Sequence, residues 1–110
     1  MITHNNINNY LLLEASKINN KALLNESVKN KGDINYMDQY NRNALHYAVI
    51  YNSNDIIKVL FKNKQLNKKD CYNKYPLDYA KENKNKNIIQ LLSRTSKTNT
   101  IKRKYIFIRY

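Results

Sequence analysis

The sequence is poor in residues that break or crosslink a chain. Its 110 residues include one glycine, one proline, one cysteine and no tryptophan. So little glycine and proline excludes collagen-like chains and Pro/Gly-rich low-complexity chains. Because the lone Cys71 cannot form an internal disulfide, we expect a reducing compartment such as the cytoplasm.

Long apolar runs and an export signal are also missing. No stretch approaches the roughly 18 apolar residues that indicate a transmembrane helix. Residues 1–9 lack the basic region and the apolar region of a secretory signal peptide. We therefore expect neither a membrane span nor Sec-dependent export.

The positive charge is unevenly placed along the chain. The formal net charge is +12, and residues 93–110 hold six basic residues and no acidic one. The preceding residues are only mildly basic. Their lysines are interleaved with acids, so we expect no basic stripe outside the C-terminal tail.

The most informative feature present is an internal repeat. Residues 38–48 (DQYNRNALHYA) return as residues 70–80 (DCYNKYPLDYA), and residues 56–60 (IIKVL) return as residues 88–92 (IIQLL). Each pair is 32 residues apart. Such a period is typical of repeat architectures, in which a small unit buries its apolar face only against its neighbour.

Each unit contains signals for a tight turn and two short helices. The polar residues 38–42 predict a turn, and Asn43 is suited to cap the helix that follows. Ser53 or Asn54 is expected to cap the second helix. In the next unit Pro76 falls at the first helical position, where its missing N–H is harmless.

The residues that precede these two units predict a degenerate first unit. Leucine and alanine recur at helical spacing between residues 11 and 28. The second helix of this unit aligns with the others at 32 residues, and its first helix fits 32 or 33 equally well.

These motifs resemble ankyrin repeats. The family tetrapeptide Thr-Pro-Leu-His is matched by residues 43–46 (NALH) and 75–78 (YPLD), and the family ending Gly-Ala-Asp-Val-Asn by residues 32–35 (GDIN) and 64–67 (KQLN). The resemblance covers residues 11–92 and implies an all-α solenoid of stacked helix-turn-helix units with short β-turn fingers. The expected parts are a polar N-terminal tail at 1–10, units at 11–35, 36–67 and 68–92, and a basic, flexible tail at 93–110.

Several glycines of the family pattern are replaced in this chain. Asn41 and Asn73 stand in the turns, and asparagine visits positive φ more easily than most residues. A lysine forced to positive φ costs about 1 kcal/mol. We therefore expect rearranged junctions at Lys64 and Lys84, and marginal stability.

No residue pattern points to catalysis or to a cofactor. The resemblance implies that His46 is bonded to backbone groups of adjacent turns. No second His, Cys or carboxylate stands at metal-ligand spacing, and Cys71 has no obvious base beside it. We expect a non-catalytic protein with no cofactor, no bound metal and no small-molecule substrate.

The resemblance implies that a partner binds at the turn tips and on the outer face of the first helices. Tyrosine and arginine dominate interface hot spots, and we expect Tyr40 to stack on Tyr72. Arg42 is expected to stack on Lys74, and these two cations would steer an acidic protein partner. The alternative is that A/T-rich coding placed tyrosines there by chance. The predicted partner-binding residues are Tyr36, Gln39, Tyr40, Arg42, Ile50, Tyr51, Tyr72 and Lys74.

The basic tail supports an alternative function. Lys102, Arg103 and Lys104 could meet the phosphates of nucleic acid or an anionic membrane, with the repeats only presenting the tail. Binding of this kind would depend strongly on salt. A tail without function, at the end of a truncated repeat protein, is the third possibility.

Overall fold

The structure is a computed structural model that describes residues 4–94, with side chains from residue 7 onward. These residues form helices and turns and contain no strand. A single 3-10 turn, Lys64–Leu66, follows the fourth helix. The helices are α1 (His4–Lys17), α2 (Lys21–Lys29), α3 (Ala44–Ile50), α4 (Asn54–Leu60), α5 (Pro76–Glu82) and α6, which covers residues 86–94.

The helices form three pairs, which we call the first, second and third units. Helix α1 packs on α2 within its unit and on α3 of the next, and α3 packs in turn on α4 and α5. Since α3 is covered from both sides, six of its seven residues are buried. The all-α repeat architecture predicted from the sequence is therefore confirmed.

The junctions between paired helices show the true spacing of the units. Asn19, Asn52 and Lys84 occupy equivalent positions, with φ of 56°, 55° and 57°. The first two are 33 residues apart and the last two 32. The predicted 32-residue alignment of α2 with α4 is therefore wrong by one residue. The prediction aligned the apolar residues of the two helices. In the structure, the equivalent positions are those of the residues with positive φ that follow each first helix.

The N-terminus is helical earlier than predicted. Helix α1 begins at His4, inside the stretch expected to be a polar tail, so that prediction is wrong for residues 4–10. The asparagines there have structural partners: Asn8 Nδ2 donates to the carbonyl of Asn30 (2.7 Å), and Asn9 Oδ1 accepts from the amide of Asp33 (2.7 Å). They hold the loop that leaves α2 against α1.

Close packing explains the single glycine at that loop. A Cβ atom on Gly32 would lie 2.8 Å from the Ser27 carbonyl oxygen and 3.1 Å from that of Asn8. The left-handed conformation belongs to the preceding residue, Lys31, with φ of 77°. Glycine is needed here for space, and its freedom at positive φ is not used.

The replaced glycines behave in two ways. Asn41, Asn73 and Lys84 adopt positive φ in place of glycine. Lys64 does not, because the chain after α4 tightens into the 3-10 turn that begins there. Asn63 caps this turn by accepting from the amide of Gln65 at 3.0 Å. The rearrangement predicted at Lys64 is therefore confirmed, whereas the one predicted at Lys84 is wrong, because Lys84 keeps the left-handed conformation of the junction.

The C-terminal tail is mostly outside the described residues. Residues 93 and 94 continue α6, so the prediction of a flexible tail is wrong for these two positions. The predicted polyanion-binding residues Lys102, Arg103 and Lys104 lie outside the part that the structure describes.

Candidate functional site

An aspartate organises the turn that opens the second unit. Asp38 Oδ1 accepts from the amides of Tyr40 (2.9 Å) and Arg42 (3.1 Å). The Asn41 amide donates to the Asp38 carbonyl (2.9 Å), which closes the turn around the left-handed Asn41. The aspartate side chain thus satisfies backbone donors that no helix could satisfy.

The third unit repeats this turn bond for bond. Asp70 Oδ1 accepts from the amides of Tyr72 (2.9 Å) and Lys74 (3.1 Å), and the Asn73 amide donates to the Asp70 carbonyl (2.9 Å). The second carboxylate oxygen of Asp70 accepts from the Tyr79 hydroxyl on α5.

The same tie between turn and first helix exists in the second unit, where the Tyr47 hydroxyl donates to Asp38 Oδ2. In both units the tyrosine follows the aspartate by nine residues. Each aspartate therefore fixes its turn and anchors it to the helix that follows.

Arg42 joins the second unit to the third. Its Nε donates to Asp70 Oδ2 (3.0 Å) and its Nη2 to the Tyr79 hydroxyl (2.9 Å). Its guanidinium carbon lies 5.8 Å from the ring centroid of Tyr40 and 5.4 Å from that of Tyr72. The predicted stacking of Tyr40 on Tyr72 is wrong, because the described residues contain no such ring pair and both rings contact Arg42 instead.

Lys74 has a different partner from its counterpart Arg42. Its ammonium group pairs with Glu82 of the same unit and lies 5.3 Å from the Tyr79 ring centroid. The predicted stacking of Arg42 on Lys74 is therefore not found. Both cations are engaged with carboxylates within the protein.

The first unit contributes a third ion pair to the same surface. Lys17 Nζ lies 3.0 Å from Glu14 Oε2 and 4.7 Å from the Tyr47 ring centroid. The Tyr47 and Tyr51 rings lie 6.5 Å apart. A continuous row of contacting side chains thus crosses all three units. We call this surface the tyrosine face; it comprises Glu14, Lys17, Asp38, Tyr40, Arg42, Tyr47, Tyr51, Asp70, Tyr72, Lys74, Tyr79 and Glu82.

The predicted site residues differ in their accessibility. Tyr40, Tyr51 and Tyr72 are 42%, 55% and 60% exposed, and Gln39 at the turn tip is exposed as well. The other four predicted residues are only half-exposed: Tyr36, Arg42, Ile50 and Lys74. Of these, Tyr36 and Ile50 pack against the hydrophobic core.

The buried members of the face escaped the sequence analysis. Asp70 is 4% exposed, Tyr47 6% and Tyr79 9%. The signal was available, since Asp38 with Asp70 and Tyr47 with Tyr79 are pairs within the repeated segment. Their role was missed because a search for partner-binding residues favours exposed positions, and these side chains lie beneath them.

Electrostatics explain why Asp70 stays charged although it is buried. Burial alone would raise its pKa, but hydrogen bonds from Tyr79 and Arg42 outweigh this effect and lower the pKa to about 2. Burial together with the hydrogen bond to Asp38 raises the pKa of Tyr47. These groups therefore keep one protonation state near neutral pH.

His46 is a structural residue. Its Nδ1 accepts from the Asn43 amide (3.2 Å) and its Nε2 donates to the Lys74 carbonyl (3.1 Å) in the next turn. The bonding expected from the resemblance is therefore confirmed. Burial lowers the pKa of His46, which favours the neutral ring that this pair of bonds requires. The described residues contain no group of three or more potential metal ligands.

Comparison with protein families agrees with this geometry. The family model described as Ankyrin repeats (3 copies) matches residues 11–103. This chain belongs to the ankyrin-repeat family. Ankyrin repeats are generally protein–protein interaction modules and typically non-catalytic scaffolds. A search of curated proteins gave no match to the chain.

Among residues 4–94, no helix combines the length and the apolar character needed to cross a bilayer.

Proposed function

We propose that the tyrosine face binds a protein partner through the exposed rings of Tyr40, Tyr51 and Tyr72. The observation that carries this proposal is the combination of exposed rings with a fixed layer beneath them. Two of these rings contact the Arg42 guanidinium, which is itself held by Asp70 and Tyr79. Tyrosine offers a large contact area and a hydroxyl for hydrogen bonding, which suits it to interfaces.

Preorganisation is the physical advantage of this arrangement. A side chain that is already ordered loses less conformational freedom on binding. The turn tips are also tied to each other, since the Cys71 amide donates to the Tyr40 carbonyl at 2.8 Å. A partner would therefore meet a surface whose backbone is fixed before the encounter.

The ion pairs change our expectation of the partner's chemistry. Arg42 and Lys74 were expected to steer an acidic protein, yet each is paired with a carboxylate of this chain. Recruiting them would break those pairs. We infer that recognition rests on ring faces and hydroxyl groups, so the partner presents an apolar or hydrogen-bonding segment and needs no acidic stretch.

Partner capture with matched variants tests the proposal. The double variant Tyr40→Ala/Tyr72→Ala removes two exposed rings, and Val28→Ala/Val59→Ala removes comparably exposed apolar side chains from α2 and α4. Proximity labelling with the full chain should recover a set of proteins that the tyrosine variant loses and the valine variant keeps. Titration of one purified partner should then show at least a tenfold loss of affinity for the tyrosine variant.

Two results would contradict the proposal. One is an unchanged set of partners for the tyrosine variant. The other is loss of its helical circular dichroism, which would make Tyr40 and Tyr72 structural residues.

A further inference from the structure

A second part of the surface carries positive charges that have no carboxylate partner within residues 4–94. The described residues contain three ion pairs, and all of them belong to the tyrosine face. Along residues 58–69 the chain has five lysines and no acidic residue. The expectation that no basic stripe exists outside the tail is therefore wrong for this stretch.

All five lysines are accessible. The segment runs from the last turn of α4 through the 3-10 turn to the start of the third unit. Within the described part of the chain, no carboxylate lies within 4.0 Å of any of these ammonium groups. The five exposed residues are Lys58, Lys62, Lys64, Lys68 and Lys69; we call them the lysine stripe.

The repeat architecture extends the stripe into the first unit. The corresponding region of the first unit has two lysines, Lys29 at the end of α2 and Lys31 in the loop that follows it. Both are exposed. The loops that hold them lie side by side, because Asn35 Nδ2 donates to Gln65 Oε1 at 2.9 Å. Exposed lysines therefore lie at or just after the end of the second helix in both of these adjacent units.

Helix stability does not account for this arrangement. A cation in the last turn of a helix interacts favourably with the helix dipole, which explains Lys29 in α2 and Lys58 in α4. That effect falls off within the last turn and does not reach Lys68 or Lys69. Exposed like charges without a carboxylate partner repel one another, so an external anion is the natural complement.

We propose that the lysine stripe binds the phosphate backbone of a nucleic acid without reading its sequence. Lysine contacts phosphate as a point charge, whereas specific base contacts rely most often on arginine, which the stripe lacks. A membrane surface is a poorer fit. The exposed large apolar side chain within residues 58–69 is a valine, Val59, so this stretch offers little apolar surface for insertion into a bilayer.

Charge-matched variants of the full chain test this proposal. The stripe variant is Lys62→Gln/Lys64→Gln/Lys68→Gln. The body control, Lys81→Gln/Lys84→Gln/Lys86→Gln, alters exposed lysines around the α5–α6 loop. The tail control is Lys102→Gln/Arg103→Gln/Lys104→Gln. Each variant removes three positive charges, so a general effect of net charge would be equal in all three.

The probe is a fluorescein-labelled 20-base-pair DNA duplex of arbitrary sequence, followed by fluorescence anisotropy between 50 and 200 mM NaCl. We expect micromolar binding by the parent chain, since sequence-independent binding gives dissociation constants of roughly 1–100 µM. The stripe variant should bind at least tenfold more weakly at low salt. Its plot of log affinity against log salt should be shallower by about three, one for each phosphate that a lysine no longer neutralises. A duplex of scrambled sequence should bind equally well.

Several outcomes would overturn the proposal. Equal losses in all three variants would mean diffuse attraction by net charge, and the largest loss in the tail control would place the site at residues 102–104. No binding at 50 mM NaCl would remove it altogether. Stronger, stripe-dependent binding to phosphatidylserine vesicles than to DNA would make the ligand a membrane. Circular dichroism of each variant keeps unfolding from being read as weaker binding.

Discussion

The second and third units build the same turn in different surroundings. Asp38 and Asp70 each accept two turn amides and one tyrosine hydroxyl. Asp70 also forms an ion pair with Arg42 of the preceding unit, and the Asp70 side chain is fully buried. Asp38 receives no such cation from the described part of the first unit and is only half-buried.

This difference shows where the units depend on one another. A buried carboxylate is tolerated when a partner charge and hydrogen bonds replace its lost hydration. In the third unit that partner comes from the unit before it, so the turn at Asp70 is completed by its neighbour. In the second unit the turn is completed locally. At this turn the third unit therefore depends on its neighbour, whereas the second unit does not.

The largest expected effect comes from removing that neighbour's cation. Arg42→Met leaves the buried Asp70 without its charge partner and should destabilise the fold by about 3 kcal/mol. Lys74→Met is the matched change in the third unit, where the pair with Glu82 is exposed, and the unfolding midpoint should hardly move. Urea unfolding followed by circular dichroism measures both. Equal losses of unfolding free energy would show that the buried ion pair contributes no more than the exposed one.

Acid should weaken the fold through Asp70. In the folded state the pKa of Asp70 is about 2, below its ordinary value of 3.8. Its contribution to stability is therefore fully present above about pH 4 and is lost as the pH falls through 2, a total of about 2 kcal/mol. The variant Asp70→Asn should lack this loss, whereas Asp38→Asn should retain it. Unfolding midpoints measured between pH 5 and pH 2 decide, and the same acid dependence in both variants would contradict the assignment.

Removing single hydroxyl groups sharpens the comparison further. Tyr79→Phe takes a donor from the buried Asp70 and should cost about 2 kcal/mol. Tyr47→Phe takes the equivalent donor from Asp38, which water can partly replace, and should cost about 1 kcal/mol. Chemical unfolding of the two variants side by side tests the order. A larger loss in Tyr47→Phe would mean that Asp38, and not Asp70, depends more on its tyrosine.

The smallest effect concerns the junctions between paired helices. Lys84 holds a positive φ that glycine adopts without strain, so Lys84→Gly should stabilise the fold by up to about 1 kcal/mol. Asn52 occupies the equivalent position, but its side chain accepts from Asn85 Nδ2 at 3.0 Å. Asn52→Gly should therefore bring no gain. Thermal unfolding measures both, and a gain in Asn52→Gly would make that hydrogen bond irrelevant.

Much of the fold could be predicted because the second and third units carry the same local sequence signals. Apolar spacing, Asn43 as a helix cap and Pro76 at the start of α5 are local signals, and the structure confirms them. The cap of α4 was not local. Ser53 makes no side-chain cap bond, and Asn19 from the first unit accepts from the Asp55 amide instead (3.0 Å).

The candidate site was harder to predict because its contacts, like the cap of α4, join different units. The sequence identified exposed tyrosines at the turn tips, but the pairing of Arg42 with Asp70 spans 28 residues and two units. Residue types alone suggested that Arg42 was available to a partner. Which cation is compensated depends on how the units stack, and that is decided by tertiary packing.

A double-mutant cycle between Arg42 and Asp70 tests the central claim most directly. Asparagine at position 70 keeps an oxygen for the two turn amides while it removes the charge that Arg42 contacts. If the neighbour's cation completes the third turn, Arg42→Met should cost about 3 kcal/mol in the parent chain and about 1 kcal/mol in the Asp70→Asn background. Losses that add within about 0.3 kcal/mol would contradict the claim, because they would show that the two units meet without exchanging this interaction.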